Sequence, residues 1–236
     1  HRIGKEILGG VADQYRKLRN TFRYLLGALD GFGEDEKVGV EAMSELERYM
    51  LHLTAELDRK LRQAVDDFDF NSYTRLLSDF ANNDLSAFYF DIRKDVLYCE
   101  VNAETGVQTD KRRAYRTVLD TLFHALVRWS APVLVFTTEE VWGTRYPDGG
   151  SVHLLEWPEL PRIEADQALW RNLIEVRRLA FAGIESERNT KTVRSSLEAE
   201  LEIEPHLERH LTALDHFGPD QLAEFFIVAK VSIHPN

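Results

Sequence analysis

Tyr15-Arg16-Lys17-Leu18-Arg19-Asn20-Thr21-Phe22-Arg23-Tyr24-Leu25-Leu26-Gly27 reads as one α-helix with two faces. Over residues 10–30, Val11, Tyr15, Leu18, Phe22, Leu25, Leu26 and Leu29 recur every three or four positions. That spacing stacks side chains along one side of a helix. Arg16, Arg19, Asn20 and Arg23 fall at i, i+3, i+4 and i+7 and make a second stripe, rotated about a third of a turn from the first. Three guanidiniums and an amide in a row can hold phosphates bidentately or hydrogen-bond base edges. They can equally be a solvated face, or salt-bridge partners for acidic neighbours. Asp30-Gly31-Phe32-Gly33 ends the helix.

The same periodicity continues downstream. Met43, Leu46, Met50, Leu53, Leu57, Leu61, Ala64 and Phe68 predict a helix over residues 38–68, a rod roughly 45 Å long at 1.5 Å per residue. Residues 71–90 suit one or two shorter helices, with Asn71 and Asn83 as N-caps. Residues 91–101 are less periodic and read as partly helical. Tyr115, Leu119, Leu122, Leu126 and Trp129 line one side of a helix over 109–130, which Pro132 ends. That helix carries a second arginine group, Arg112, Arg113 and Arg116. Thr137 and Glu140 have capping-box spacing and predict a short helix through Trp142. Pro147-Asp148-Gly149-Gly150 is a turn, and 151–163 read as extended or irregular.

A helix returns over 166–190, with Leu169, Leu173, Val176, Ala180 and Gly183 on one stripe and Arg171, Arg177 and Arg178 beside it. Trp170 next to Arg171 is a stacking platform or a core anchor. Then the period changes to two. Leu197, Ala199, Leu201 and Ile203 alternate with Glu198, Glu200, Glu202 and Glu204, the signature of a half-buried strand. Residues 206–217 suit a short helix and Phe226 to Ile233 a second strand. The expected fold is mainly α. A helical bundle spans 1–163, and a junction helix with a small α+β subdomain spans 164–236.

The formal net charge of −11 over 236 residues argues against a non-specific nucleic-acid binder, which is normally basic. The charge is uneven, however. Residues 34–70 hold eleven acidic against five basic side chains, and 196–226 hold eight against one. Residues 10–30 hold four basic against two acidic, and 109–130 five against two. The cations therefore gather on particular helices. No run of 18 apolar residues offers a membrane span, and His1-Arg2-Ile3-Gly4-Lys5 lacks a secretory signal's apolar stretch. Starting without Met and in mid-pattern, the chain reads as an excised piece.

Catalytic signatures are missing. There is no P-loop and no GxGxxG, and Gly9-Gly10 and Gly31-x-Gly33 read as turn glycines. The single cysteine, Cys99, forms no intrachain disulfide, fits a reducing compartment, and reads as a packed thiol rather than a nucleophile. His206 and His210, four apart on a helix, could offer two metal ligands or be two solvated histidines. The order His-Leu-Glu-Arg-His is not that of a helical zinc protease, so no metal is expected.

Residues 15–27 resemble the segment that opens the anticodon-binding bundle of isoleucyl-tRNA synthetases. Further strings resemble the family in order: Leu85-Ser86-Ala87-Phe88-Tyr89-Phe90-Asp91-Ile92-Arg93-Lys94-Asp95-Val96-Leu97-Tyr98, similar to its helix-to-strand passage; Ala131-Pro132-Val133-Leu134-Val135-Phe136-Thr137-Thr138-Glu139-Glu140-Val141-Trp142; Ser151-Val152-His153-Leu154; and Arg188 through Ala199. Valyl- and leucyl-tRNA synthetases share the bundle. Arg19-Asn20-Thr21-Phe22-Arg23, where valyl enzymes usually carry a Trp, favours the isoleucyl member.

The resemblance implies a cytoplasmic ligase that joins isoleucine to tRNA(Ile) with ATP. Its catalytic domain carries the signatures His-Ile-Gly-His and Lys-Met-Ser-Lys-Ser, and neither occurs in this chain. Thr190-Lys191-Thr192-Val193-Arg194-Ser195 is not the second of them. The expected role is to hold the anticodon stem for catalytic and editing domains that lie outside the chain. The intact enzyme would use ATP and could carry a terminal zinc module, but one cysteine leaves none here. Arg16, Arg19, Asn20, Arg23, Arg112, Arg113, Arg116, Trp170 and Arg171 are the expected tRNA contacts, with Arg16, Arg19 and Arg23 sharing a concave surface with Arg112 or Arg116. Two other classes stay open: a helical scaffold binding protein partners through its acidic faces, and a small enzyme built on His206 and His210.

Overall fold

The computed structural model describes residues 4–102, 104–189 and 195–234. It divides into two compact units, His1–Ala165 and Asp166–Asn236. In the first, α1 (Lys5–Ala28), α2 (Glu45–Asp66), α3 (Phe70–Asp79), a π-helical stretch (Phe80–Tyr89), α4 (Phe90–Cys99), α5 (Asp110–Ser130) and α6 (Val135–Arg145) form a bundle.

Helix α5 is its axis. The stripe Tyr115, Leu119, Leu122, Leu126 and Trp129 is buried, but so is every residue from Ala114 to Asp120. A helix enclosed all round needs partners for its polar groups. Thr117 Oγ1 accepts from the Val38 amide at 3.2 Å and donates to the Arg113 carbonyl at 2.8 Å. Asp120 receives Arg145 at 2.6 Å and Lys37 at 3.2 Å. Thr109 caps the helix by accepting from the Arg112 amide at 3.2 Å.

Helix α2 starts at Glu45 rather than near 38, after short 3-10 turns at Glu34–Glu36 and Val40–Ala42. Its 22 residues span about 33 Å, shorter than the pattern predicts. Phe68, placed by periodicity in this helix, instead turns the chain with φ 55° and stays exposed. In the first turn of α2, Glu47 is fully enclosed. Arg93 of α4 reaches it through Nε at 2.6 Å and Nη2 at 3.0 Å, and the Ser44 hydroxyl donates to it as well.

Residues 70–99 form one uninterrupted helical run. Its N-cap is Asp69, accepting from the Ser72 amide at 3.0 Å, not Asn71, and Asn83 lies inside the π-helical stretch. The expected passage from helix to strand at 85–98 is helical throughout. A π-register shifts the buried face along the run, which blurs the 3.6-residue period in the sequence. Cys99 ends the run exposed, not packed. Helix α6 begins at Val135, two residues before the expected capping box.

The second unit holds α7 (Gln167–Asn189), β1 (Glu200–Ile203), α8 (Glu208–His216), α9 (Pro219–Phe226) and β2 (Lys230–Ile233). The strands are parallel, with Leu201 opposite Val231 and Ile203 opposite Ile233. Parallel strands need a long crossover, and α8 and α9 supply it. Helix α9, opened by Pro219 in its first turn, is an element the strand pattern did not anticipate. Residues Thr190 to Arg194 and His1 to Ile3, which entered the sequence reading, lie outside the described residues. Among the described residues no helix is long and apolar enough to cross a membrane.

Candidate nucleic-acid interface

Helix α1 presents its arginine stripe on the side opposite its core contacts. Phe22, Leu25 and Ala28 face inward. At about 100° per residue, Arg16, Asn20 and Arg23 point the other way. All three are exposed. Among the described residues, Asn20 and Arg23 have no hydrogen-bond or ionic partner, and Arg16 pairs only with Asp13, one turn back on the same helix. Arg16 and Arg23 are separated by about 10 Å along the axis, with Asn20 between them. Lys17, which the i, i+3, i+4 spacing passed over, is also exposed and unpaired among the described residues.

Arg19 sits at the margin of this ridge, toward α6. It donates to Glu140 at 3.2 and 3.4 Å and lies 3.4 Å from the Tyr15 hydroxyl. The Tyr15 hydroxyl also meets Thr137 Oγ1 at 2.9 Å. The hydrogen bond to Thr137, with that to Arg19, lowers the Tyr15 pKa, and the bond to Glu140 raises that of Arg19. Arg19 thus ties two helices together while its guanidinium remains half exposed.

The α5 arginines do different work. Arg116, expected on the surface, is 4% exposed. Its Nε donates to the Ala28 carbonyl at 3.1 Å, Nη1 meets Glu36 at 2.6 Å, and Nη2 donates to the Asp30 carbonyl. A helix C-terminus leaves carbonyls without intrahelical partners, and a cation there satisfies them. Arg116 is therefore the anchor that closes α1, and it is not part of an RNA-facing surface. Arg112 is partly buried, donating from Nε to the Leu97 carbonyl at 2.8 Å, and burial lowers its pKa. Arg113 keeps more of its surface, pairing with Asp110 at 3.4 Å and donating to the Asp35 carbonyl at 3.1 Å. Of the two α5 arginines expected to share a surface with Arg16, Arg19 and Arg23, Arg116 is buried and Arg112 is only partly exposed, and the α1 stripe stands as an outward ridge.

In the second unit, Trp170 is 2% exposed and packs against Phe217 and Phe225 at ring distances of 5.1 and 5.6 Å. It is a core anchor, so the stacking alternative falls. Arg171 beside it is exposed. Arg177 is buried, donating to the Phe225 carbonyl at 2.7 Å. His210 is buried with Nε2 3.2 Å from Glu175, whereas His206 is exposed.

Gly9 and Gly10 lie within α1 rather than in a turn, and Gly31, at φ 65°, does occupy one.

Comparison with known proteins gives a consistent result. A family described as the anticodon-binding domain of tRNA ligase matches residues 47–203. Isoleucine–tRNA ligase of Zymomonas mobilis is 53% identical over 98% of this chain, which spans 24% of that protein's length. The isoleucine–tRNA ligases of Ruegeria pomeroyi and Agrobacterium fabrum are 50% and 47% identical over 84% of the chain, in each case 20% of the relative's length.

Proposed function

The chain belongs to the anticodon-binding domain family of tRNA ligases, and we propose that it grips the anticodon stem of tRNA(Ile) along the α1 ridge of Arg16, Asn20 and Arg23. In this reading the intact protein is an isoleucine–tRNA ligase of the cytoplasm. Domains outside this chain bind ATP and isoleucine and perform the transfer. The chain's task is positional: fixing one end of a rigid RNA sets where its acceptor end lies.

The single observation that carries the reading is Arg23, a guanidinium with no partner among the described residues, on the face of α1 directed away from the core. An arginine left without an anion in a chain of net charge −11 is available to a phosphate, whereas most other α1 and α5 arginines are engaged. The acidic total is compatible with this reading, since a tRNA bound along α1 meets a locally positive strip, residues 10–30 holding four basic against two acidic side chains. Arg113 and Arg171 are secondary contacts, each exposing part of its guanidinium on its own unit. Contact with unpaired anticodon bases would need stacking and edge hydrogen bonds in addition to phosphate pairing.

The test is direct binding of tRNA(Ile) to the 236-residue chain across a salt series. Binding that weakens steadily with salt supports the ridge. Binding that ignores salt, or retention of acidic-face protein partners with no RNA bound, supports the scaffold reading instead. No aminoacylation is expected from this chain by itself.

A further inference from the structure

Asp120, His124 and Arg128 fall four apart on α5 and share one stripe of that helix. The extended segment after Leu155 lies against this stripe, and a cleft of about 460 Å3 separates them. The segment is tied to α2: Trp157 Nε1 donates to Asp58, and His52 meets the Ile163 carbonyl at 2.7 Å. The wall it gives the cleft, Trp157, Pro158, Leu160 and Pro161, is apolar. The volume is that of a small-molecule pocket, and no residue of α1 lines it.

The charges of the cleft do not balance within the protein. Arg128 is partly buried, and burial lowers its pKa. An arginine is rarely withdrawn from water without an anion. Arg128 has none among the described residues: Nη1 donates to the His124 carbonyl at 3.0 Å, and Nε is enclosed without a partner. Asp120, the carboxylate on the same stripe, is already shared by Arg145 at 2.6 Å and Lys37 at 3.2 Å. His124, whose pKa burial pushes down to about 4, brings no charge near neutral pH. Glu156 and Glu159 also line the cleft, but both are exposed at its margin, and neither pairs with a cation among the described residues. One uncompensated cation therefore stands inside the cleft and two uncompensated anions stand at its mouth.

We propose that this cleft binds a small zwitterion, a free α-amino acid with an apolar side chain, with its carboxylate on Arg128 and its ammonium group toward Glu156 and Glu159. Every simpler ligand leaves one end unmatched. A plain anion satisfies Arg128 but passes two like charges on entry. A plain amine satisfies the mouth but faces a guanidinium inside. RNA, a polyanion, is repelled by the glutamates. An α-amino acid carries both groups. Its carboxylate takes charge-assisted hydrogen bonds from the guanidinium, and its side chain covers the apolar wall of Pro158, Leu160 and Pro161. The site shares no residue with the α1 ridge, so both can be filled at once.

The test titrates the 236-residue chain with L-isoleucine, acetate and ethylamine, following the Trp157 indole N–H and Arg128 Nε–H signals by NMR. The catalytic signatures are absent from this chain, so L-isoleucine has no reaction centre to occupy. The expected result is a saturable shift with L-isoleucine in the millimolar range, with acetate and ethylamine each weaker by about fivefold or more. Arg128→Gln is expected to abolish saturation. Glu156→Gln with Glu159→Gln changes only exposed side chains, so the fold is kept. That variant is expected to bind L-isoleucine about threefold more weakly or worse and to bind acetate no less tightly than L-isoleucine. Should Arg128→Gln unfold, the glutamate variant scores the proposal alone. Shifts that rise linearly with L-isoleucine in the wild type would overturn it. So would wild-type acetate binding equal to that of L-isoleucine, the mark of a plain anion site, or undiminished L-isoleucine binding in either folded variant. No RNA enters the measurement, so its outcome is separate from that of the ridge.

Discussion

Arg93 and Glu47 face each other across the bundle at 2.6 Å, with the arginine side chain 1% exposed and the carboxylate 0%. Each is the other's answer to burial: a charge removed from water is tolerated only with an opposite charge and hydrogen bonds in place. Ser44 and the Tyr89 hydroxyl supply the remaining bonds to the carboxylate, and Ser44 also accepts from Arg93 Nη2 at 3.2 Å. The pair ties the start of α2 to α4, whose first residue Phe90 stacks on Tyr24 of α1 at 4.2 Å.

Glu47→Gln leaves that guanidinium enclosed without a counter-charge. We expect a loss of about 3–5 kcal/mol in unfolding free energy by urea denaturation, the range for breaking a buried pair from one side. A change below about 1 kcal/mol would show that water reaches the site and that the pair is not enclosed.

Asp84, in the π-helical stretch, gives a pH signature. Burial pushes its carboxyl up to about 6, with Lys60 opposing and Asp79 adding to the shift. The folded-state value lies above the unfolded one, so the fold favours the protonated form. Stability from this group is full at low pH and is lost as pH rises through about 6. Asp84→Asn is therefore expected to stabilise the protein by about 1–2 kcal/mol at pH 8 and to give no gain near pH 3.5. Comparing variant with wild type cancels His124, whose pKa burial pushes the other way, to about 4. A gain that is constant with pH would exclude this origin.

Under the proposed reading, Glu140 is a competitor of RNA for Arg19, which it holds at 3.2 and 3.4 Å. The pair is largely exposed, at 49% and 62%, so its contribution to stability is small. Glu140→Gln should change unfolding free energy by less than about 1 kcal/mol and raise tRNA affinity about two- to threefold at low salt, read by fluorescence anisotropy. Unchanged or weaker binding would place Arg19 outside the contact surface.

How much of this was legible in the residues follows physical lines. The α1 stripe was readable because helical spacing alone turns Arg16, Asn20 and Arg23 away from Phe22 and Leu25 by about a third of a turn or more. The fate of Arg116 was not, because its partners Ala28, Asp30 and Glu36 lie more than 75 positions away and pairing over that distance leaves no local pattern. Trp170 carries both a stacking ring and core volume, and only Phe217 and Phe225 decide between them. The run through Phe80–Tyr89 lost its period to the π-register, and α9, eight residues long, was too short for its own period to stand out beside the strand it precedes. Val11, counted with the core by spacing, is exposed because α6 begins only at Val135, with Thr137 already level with Tyr15 one turn further along α1.

The central claim is that guanidiniums on the α1 ridge bind RNA phosphates. The decisive measurement is the salt dependence of tRNA(Ile) binding by the 236-residue chain, wild type against Arg16→Ala with Arg23→Ala. Both side chains are exposed, so the fold should be unchanged by circular dichroism. The account predicts weaker binding at every salt concentration and a log K against log salt slope shallower by about 1–2. An unaltered slope and affinity in a folded double variant would contradict it.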